Sequence, residues 1–149
     1  MPESLEARAL ALLARREHSR AELQRKLTPH AESAEALTQV LDELVRRNKL
    51  SNDRYAEMRV NVRGRRYGNA RLVQELRQSG VEPETIASAL AQGEDEHSRC
   101  QSVWQKKFGT LPDSPAERAR QQRFLQYRGF SQEAIRRVLQ GLNEDGFHE

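Results

Sequence analysis

The residues of this chain best suited to chemistry are arginines that cluster in its middle third. Arg59, Arg63 and Arg66 fall at positions i, i+4 and i+7, so they share one face if a single helix runs through all three. The same predicted corner between two helices also carries Arg65, Tyr67 and Arg71. A guanidinium pairs with a carboxylate or a phosphate through two parallel hydrogen bonds. The pattern therefore indicates an anion-binding surface, and a solvated arginine-rich face is the alternative interpretation. The Tyr67 ring fits either stacking on a partner or packing at the edge of the core.

A second group of basic residues lies nearer the end of the chain and comprises Arg118, Arg120, Arg123 and Arg128. Arg123 stands 49 positions after Gln74, so its charge is not part of the internal repeat described below. Phe124 is expected in the core, whereas Tyr127 fits either packing or contact with a partner. We interpret the two basic groups together as candidate partner-binding residues.

Signals for catalysis, metal binding or a cofactor are weak. His97 and Cys100 are three positions apart and could face together, but no second pair of ligands stands at a usable spacing. There is no Ser–His–Asp order and no nucleophile elbow. Gly64 and Gly68 are four positions apart without a following Lys-Ser or Lys-Thr, so a phosphate-binding loop is not indicated. We expect neither an enzyme nor a resident cofactor.

Composition bounds the protein class. Of 149 residues, 36% are hydrophobic, 5% aromatic and 32% charged, which is typical of a thin-cored helical protein. One cysteine excludes an internal disulfide framework and fits a reducing compartment. The first residues, Met-Pro-Glu-Ser-Leu-Glu, do not resemble a signal peptide, and no run approaches the ~18 apolar residues of a membrane span. We therefore expect a cytoplasmic, monomeric protein without membrane contact.

Charge is distributed unevenly along the chain, although the formal net charge is only +3. Residues 51–80 hold seven arginines against three acids, and residues 81–117 hold seven acids against three cations. The acids Glu94 and Glu96 of this second segment are expected to be solvated. Sign asymmetry of this kind acts on association more than on fold, so it favours charged faces that meet a partner.

An internal repeat organises the whole sequence. Leucines or isoleucines recur at an offset of 49 positions in three copies, as in Leu27, Leu76 and Leu125, and Gly80 pairs with Gly129 at the same offset. Self-similarity with a period of 20–50 residues marks repetition of one supersecondary unit. We predict an elongated all-α protein with nine helices, in three tandem three-helix, helix-turn-helix-like repeats at residues 1–50, 51–92 and 93–149.

Capping signals mark the starts of the predicted helices. Ser19 with Glu22, and Ser114 with Glu117, have the spacing of a capping box, and either Ser51 or Asn52 caps the first helix of repeat 2. Apolar residues at helical spacing predict the core, and they include Val40, Val45, Met58, Val62, Leu72, Val103, Trp104, Ile135 and Leu142.

Three segments resemble the RecX family. Residues 16–27 (REHSRAELQRKL) are similar to the family's opening motif, residues 50–56 (LSNDRYA) to the start of its second repeat, and residues 122–130 (QRFLQYRGF) to a motif of its third. The matches occur in order and cover nearly the whole chain. Where the family has a pair of acids after Leu50, this chain has Ser51 and Asn52, and Asn48 and Lys49 replace the family's glycine and aromatic residue.

The resemblance implies three tandem three-helix units that bind RecA. RecX-like proteins lodge in the groove of the RecA–single-stranded-DNA filament and restrain its growth, its ATPase, strand exchange and co-protease activity. Direct DNA binding through helix-turn-helix-like units is the alternative, and auxiliary, sequence-nonspecific DNA contact is compatible with both.

Overall fold

Nine α-helices and one 3₁₀ turn make up the regular structure of residues 3–141, the part of the chain that the computed structural model describes; no strand occurs in it. The helices are α1 (Leu5–Arg15), α2 (Arg20–Leu27), α3 (Ala34–Arg46), α4 (Asn52–Arg63), α5 (Asn69–Gln78), α6 (Pro83–Gln92), α7 (Glu96–Lys107), α8 (Pro115–Tyr127) and α9 (Gln132–Leu139). The prediction of an all-α protein of nine helices is confirmed.

Polar side chains cap the helices at the predicted positions, but one of the two predicted capping boxes is complete and the other is not. Ser19 Oγ accepts a hydrogen bond from the Glu22 amide, and the Glu22 carboxylate accepts one from the Ser19 amide, which completes the capping box. Ser114 Oγ accepts from the Glu117 amide, but the Glu117 carboxylate accepts from Arg120 and Gln121 instead. Ser51, rather than Asn52, caps α4, since its Oγ accepts from the amide three residues on.

Contacts divide the described chain into two compact units. The first unit comprises residues 3–58 and 76–89, and the second comprises residues 59–75 and 90–141. The middle repeat contributes residues to both units. Each unit has its own apolar core, and each is described separately.

The core of the first unit lies between α1, α2 and α3. It consists of Ala9, Leu23, Leu27, Leu37, Leu41, Leu44 and Leu50, with Val40 packed against it. Fully burying one such leucine contributes about 1.5–3 kcal/mol, so the three leucines of α3 alone orient this helix. Val45, which the sequence places inward, is 45% exposed because the buried face of α3 follows Leu37, Leu41 and Leu44.

The core of the second unit lies mainly between α7, α8 and α9. It consists of Cys100, Val103, Trp104, Leu125, Phe130, Ala134, Ile135, Val138 and Leu139, with Phe108 and Phe124 at its edge. The indole of Trp104 donates a 2.8 Å hydrogen bond to Gln121 Oε1, so the polar groups of these two buried side chains are paired. Leu142, also predicted inward, lies outside the described residues.

Helix α4 buries only part of the predicted face, which comprised Tyr55, Met58 and Val62. Tyr55, Ala56 and Val60 are buried, whereas Val62 is 55% exposed and Met58 is half-buried. The buried face is therefore rotated towards Ala56, and Val62 falls outside it.

The same junction between consecutive repeats occurs once in each unit. In the first unit, the start of α2 meets the end of α5: Ser19 Oγ donates to the Ser79 carbonyl, and the Arg20 amide donates to Asn52 Oδ1. A Cβ on Gly80, whose φ is +80°, would lie 2.6 Å from Ala21 Cβ.

In the second unit, the start of α5 meets the end of α8 in the same way. The Gly68 amide donates to the Arg128 carbonyl, and the Asn69 amide donates to the Glu96 carboxylate. A Cβ on Gly68 would lie 2.3 Å from the Gly129 carbonyl carbon. Ser19 and Gly68 stand 49 positions apart, as do Gly80 and Gly129, so the repeat in the sequence is a repeat of this contact.

Candidate functional site

The predicted arginine corner lies in the second unit, between α4 and α5. Helix α4 ends at Arg63, and a turn of residues 64–66 follows it. Arg65 and Arg66 are exposed in this turn, and Tyr67 is half-buried. The helix does not persist to Arg66, so the expected shared helical face of Arg59, Arg63 and Arg66 is not formed.

Three arginines of the corner surround one carboxylate, that of Glu75. Arg63 approaches it with two hydrogen bonds of 3.0 and 2.6 Å, and Arg59 Nη2 donates at 3.2 Å. Arg71 Nε lies 3.7 Å from Glu75 Oε2. The hydrogen bonds from Arg63 hold the pKa of Glu75 below its usual value, and the same contact raises the pKa of Arg63. Glu75 therefore orders these guanidiniums and takes up part of their charge.

The Tyr67 ring is surrounded by cations. The guanidinium carbons of Arg63, Arg71 and Arg128 lie 4.5, 4.4 and 5.5 Å from the ring centroid. Such contacts are attractive because the ring face carries partial negative charge. Tyr67 thus serves as a packing platform for arginines.

Arg128 joins the two basic groups of the sequence. Its guanidinium lies 4.8 Å from the Phe124 centroid as well as near Tyr67, and it donates a 3.0 Å hydrogen bond to the Arg66 carbonyl. Phe124 is half-buried and meets Phe108 edge-to-face, with ring centroids 5.5 Å apart. Phe124 therefore packs at the edge of the core, close to the predicted position.

The other members of the second basic group face elsewhere on α8. Arg120 pairs with Glu117 and lies over the Phe108 ring at 5.0 Å. Arg118 lines a cleft beside α9, and Arg123 is exposed. Tyr127 is 81% exposed, so its ring does not pack in the core. Only Arg128 of this group reaches the arginine corner.

Arg99 supports the corner from beneath, and sequence reasoning missed it. This α7 side chain is 5% exposed and donates to the carbonyls of Tyr67 (2.6 Å), Glu94 (3.1 Å) and Gly64 (3.3 Å), and to Asn69 Oδ1. Burial lowers its pKa, yet an arginine remains charged at neutral pH. The sequence signal was an arginine next to the buried positions Cys100 and Val103 of α7.

Glu96 is the second residue that sequence reasoning misplaced. It was expected to be solvated, but it is half-buried, and its Oε2 accepts hydrogen bonds from the amides of Asn69 (2.9 Å) and Ser131 (3.1 Å). These amides belong to the starts of α5 and α9, where backbone donors lack helical partners and a negative charge is favourable.

The arrangement offers guanidinium donors for an anion. Arg65 and Arg66 present exposed donors, while Arg59, Arg63 and Arg71 are engaged with Glu75. Burial raises the pKa of Cys100 to about 12, so the thiol is not ionised at neutral pH.

Among residues 3–141, no three His, Cys, Asp or Glu side chains form a group able to hold a metal ion. No helix in the same range has the length and apolarity to cross a bilayer.

Comparison with known proteins covers almost the entire chain. Models of the first, second and third three-helix domains of RecX match residues 7–44, 51–90 and 94–139. Regulatory protein RecX of Chromobacterium violaceum is 48% identical over 147 residues, which cover 99% of this chain and 96% of that protein. Its counterpart in Ralstonia pickettii is 49% identical over 144 residues, with coverages of 96% and 91%.

A solved structure agrees in fold. The crystal structure of RecX from Lactobacillus salivarius superposes with a TM-score of 0.80, covering 93% of this chain and 94% of that one, at 17% sequence identity. The three domain matches in order and the near-complete relatives lead to one conclusion: the chain belongs to the RecX family of regulatory proteins.

Proposed function

We propose that this protein is a negative regulator of the RecA recombinase. It binds the RecA–single-stranded-DNA filament, lies in the filament groove, and limits filament extension, ATPase, strand exchange and co-protease activity. The observation that carries the proposal is the ordered match of all three three-helix domains to RecX, together with relatives named regulatory proteins that are 48–49% identical over almost the whole chain. The protein acts as a cytoplasmic monomer, without a cofactor or catalysis of its own.

The arginine corner is the part of the second unit that we assign to the partner. Arg65 and Arg66 supply the outward donors, since Arg59, Arg63 and Arg71 share Glu75, and Arg128 lies beside them with a hydrogen bond to the Arg66 carbonyl. The Tyr67 ring holds the guanidiniums of Arg63 and Arg71 in place. Arg118, Arg120, Arg123 and Tyr127 extend the basic surface along α8 as further contact residues. Guanidiniums fit this task because they bind carboxylates and phosphates directionally.

The test is a DNA-stimulated RecA ATPase assay with and without the protein. We expect substoichiometric amounts to lower both the ATPase rate and strand exchange, because one regulator that blocks filament extension affects many protomers. Circular dichroism confirms folding of the sample. An unchanged rate at saturating protein refutes the assignment.

Direct DNA binding is the second candidate function, and the exposed Arg65 and Arg66 favour it. Phosphate contacts release counterions, so affinity for naked DNA would fall steeply with added salt. Titration of a fluorescent oligonucleotide at two salt concentrations, without RecA, separates the candidates. Tight, salt-sensitive binding to naked DNA would favour this second function, and weak binding beside strong filament binding favours the first.

A further inference from the structure

A cleft with an apolar floor and a basic rim lies in the first unit, whereas the arginine corner belongs to the second. It has a volume of about 300 Å³. One wall is a face of α1 on which Arg8, Leu12 and Arg15 stand at i, i+4 and i+7. The other wall is the end of α2, with Lys26 and Leu27, and the 3₁₀ turn that follows it.

The cations of this cleft lack the carboxylate partners that other basic residues of the unit have. Five arginines of the first unit form ion pairs: Arg16 with Glu22, Arg20 with Asp42, Arg46 with Glu43, Arg47 with Glu6 and Arg54 with Glu17. Within residues 3–141, Arg8, Arg15 and Lys26 form none.

The lining of the cleft is predominantly basic. Lys26 Nζ donates a 3.2 Å hydrogen bond to Nε2 of His18. One acid, Glu3, also lines the cleft, against Arg8, Arg15, Lys26 and the imidazole of His30. The rim therefore keeps an excess of positive charge beside the side chains of Leu12 and Leu27.

We propose that this cleft binds an acidic protein segment that carries an apolar side chain, and that the segment belongs to a RecA protomer. The inference rests on the function proposed above, because it takes RecA as the partner. The basic residues of the rim would pair with carboxylates of the segment, and its apolar side chain would cover Leu12 between the two walls. Charge complementarity of this kind steers association and fixes register.

The floor of the cleft favours a protein segment over nucleic acid. Its apolar atoms come from Ala11, Leu12 and Leu27, and among the described residues no Phe, Tyr or Trp ring lines it; the one imidazole, that of His30, belongs to the basic rim. Single-stranded nucleic acid is held by aromatic side chains on which bases stack, in addition to basic groups. An apolar side chain flanked by carboxylates matches both the floor and the rim.

Charge reversal on the cleft tests the proposal against a matched control. The test variant is R8E/R15E, and the control is R25E/R77E, which makes the same change of charge on arginines of the first unit that form no ion pair within the described residues and do not line the cleft. We expect R8E/R15E to weaken binding to the RecA filament at least tenfold and the control to change it less than twofold. Melting curves by circular dichroism verify that both variants are folded.

Overlapping synthetic peptides that span the RecA sequence identify the chemistry of the segment. Those that bind the wild type but not R8E/R15E should be rich in Asp and Glu around a Leu, Ile or Phe. Equal weakening by both variants, or the absence of any such peptide, overturns the proposal. The proposal is also overturned if R8E/R15E loses binding to a naked oligonucleotide, or loses self-association measured by sedimentation, instead of binding to RecA. If the wild type leaves the RecA ATPase unchanged, the proposed function fails first; if it inhibits and both variants inhibit equally, only the cleft assignment fails.

Discussion

A single carboxylate decides how much of the arginine corner can face a partner. Glu75 accepts both prongs of Arg63 and lies within reach of Arg59 and Arg71, while its own side chain is only 16% exposed. Without the Glu75 carboxylate, the half-buried guanidiniums of Arg59, Arg63 and Arg71 would repel each other. Arg65 and Arg66, in the turn that follows α4, do not share this carboxylate and are exposed.

Replacing Glu75 by Gln should destabilise the second unit by about 1–3 kcal/mol at pH 7, because charge-assisted hydrogen bonds are lost. The folded-state pKa of Glu75 lies below its usual 4.5, so its stabilisation is complete well above that pH and is lost as the pH falls through the folded value. Urea unfolding at pH 7 and at pH 3 measures the difference between wild type and E75Q. We expect the difference to shrink at pH 3, and a difference independent of pH would contradict this role.

Reversal of Arg65 and Arg66 is the sharpest test of the corner as an interface. Reversing Arg63 would break its contact with Glu75, and reversing Glu96 would remove the acceptor of two helix-start amides, so neither separates binding from folding. R65E/R66E should lower filament affinity more than tenfold at low salt, since repulsion replaces attraction at exposed donors. The R25E/R77E variant again controls for net charge. A loss below twofold would show that the corner is a solvated face.

At the scale of elements, the junctions between repeats depend on close backbone approach. In the second unit the start of α5 lies against Gly129, and in the first unit the start of α2 lies against Gly80. Both glycines have positive φ and follow a helix, a position where a left-handed residue ends the helix. Each glycine therefore both terminates one helix and admits another.

Gly129→Ala and Gly109→Ala separate these two tasks. Both glycines have positive φ, so both substitutions carry the cost of a left-handed alanine, about 1–2 kcal/mol. At Gly129 the new Cβ would also lie 2.8 Å from Arg71 Cβ, whereas at Gly109 the nearest atom is 3.3 Å away. Overpacking should add about 1–3 kcal/mol at Gly129 only. Chemical denaturation of both variants measures the difference, and equal losses would mean that the junction relaxes without cost.

At the scale of the whole molecule, the compact units do not follow the repeats. The second unit joins residues 59–75 of the middle repeat to residues 90–141. Arg99 and Glu96 supply hydrogen bonds to this middle segment, and Arg128 supplies another through its carbonyl. The middle repeat therefore depends on residues from the third.

Truncation at the end of the middle repeat should expose this dependence. A fragment of residues 1–92 keeps the six helices of two repeats but removes the residues that hold the start of α5. We expect amides of residues 59–75 to exchange quickly with solvent while those of α2 and α3 stay protected, because local stability follows packing. Hydrogen exchange followed by mass spectrometry makes the measurement. Full protection of 59–75 in the fragment would show that the middle repeat is self-sufficient.

The sequence by itself determined the helices and their repetition, because helix caps and apolar spacing depend on residues that are near each other in the chain. Ser19 with Glu22, and Ser131, act within one helical turn, so their roles follow from neighbours in the chain. The 49-residue spacing of Leu27, Leu76 and Leu125 required no knowledge of contacts, and all three are buried. The family followed from motifs of the same local kind.

Only the tertiary structure decided which charged side chains hold the fold and which face outward. Arg99 donates to the Tyr67 carbonyl from 32 positions away, and Glu96 meets the Ser131 amide from 35 positions away. Arg63 reaches Glu75 from the preceding helix. The sequence does not distinguish a solvated charged residue from a paired one, because the packing of distant segments determines which partner lies beside it. The cleft of Arg8 and Lys26 was hidden for the same reason: its two walls come from different helices, and their meeting depends on the leucines beneath them.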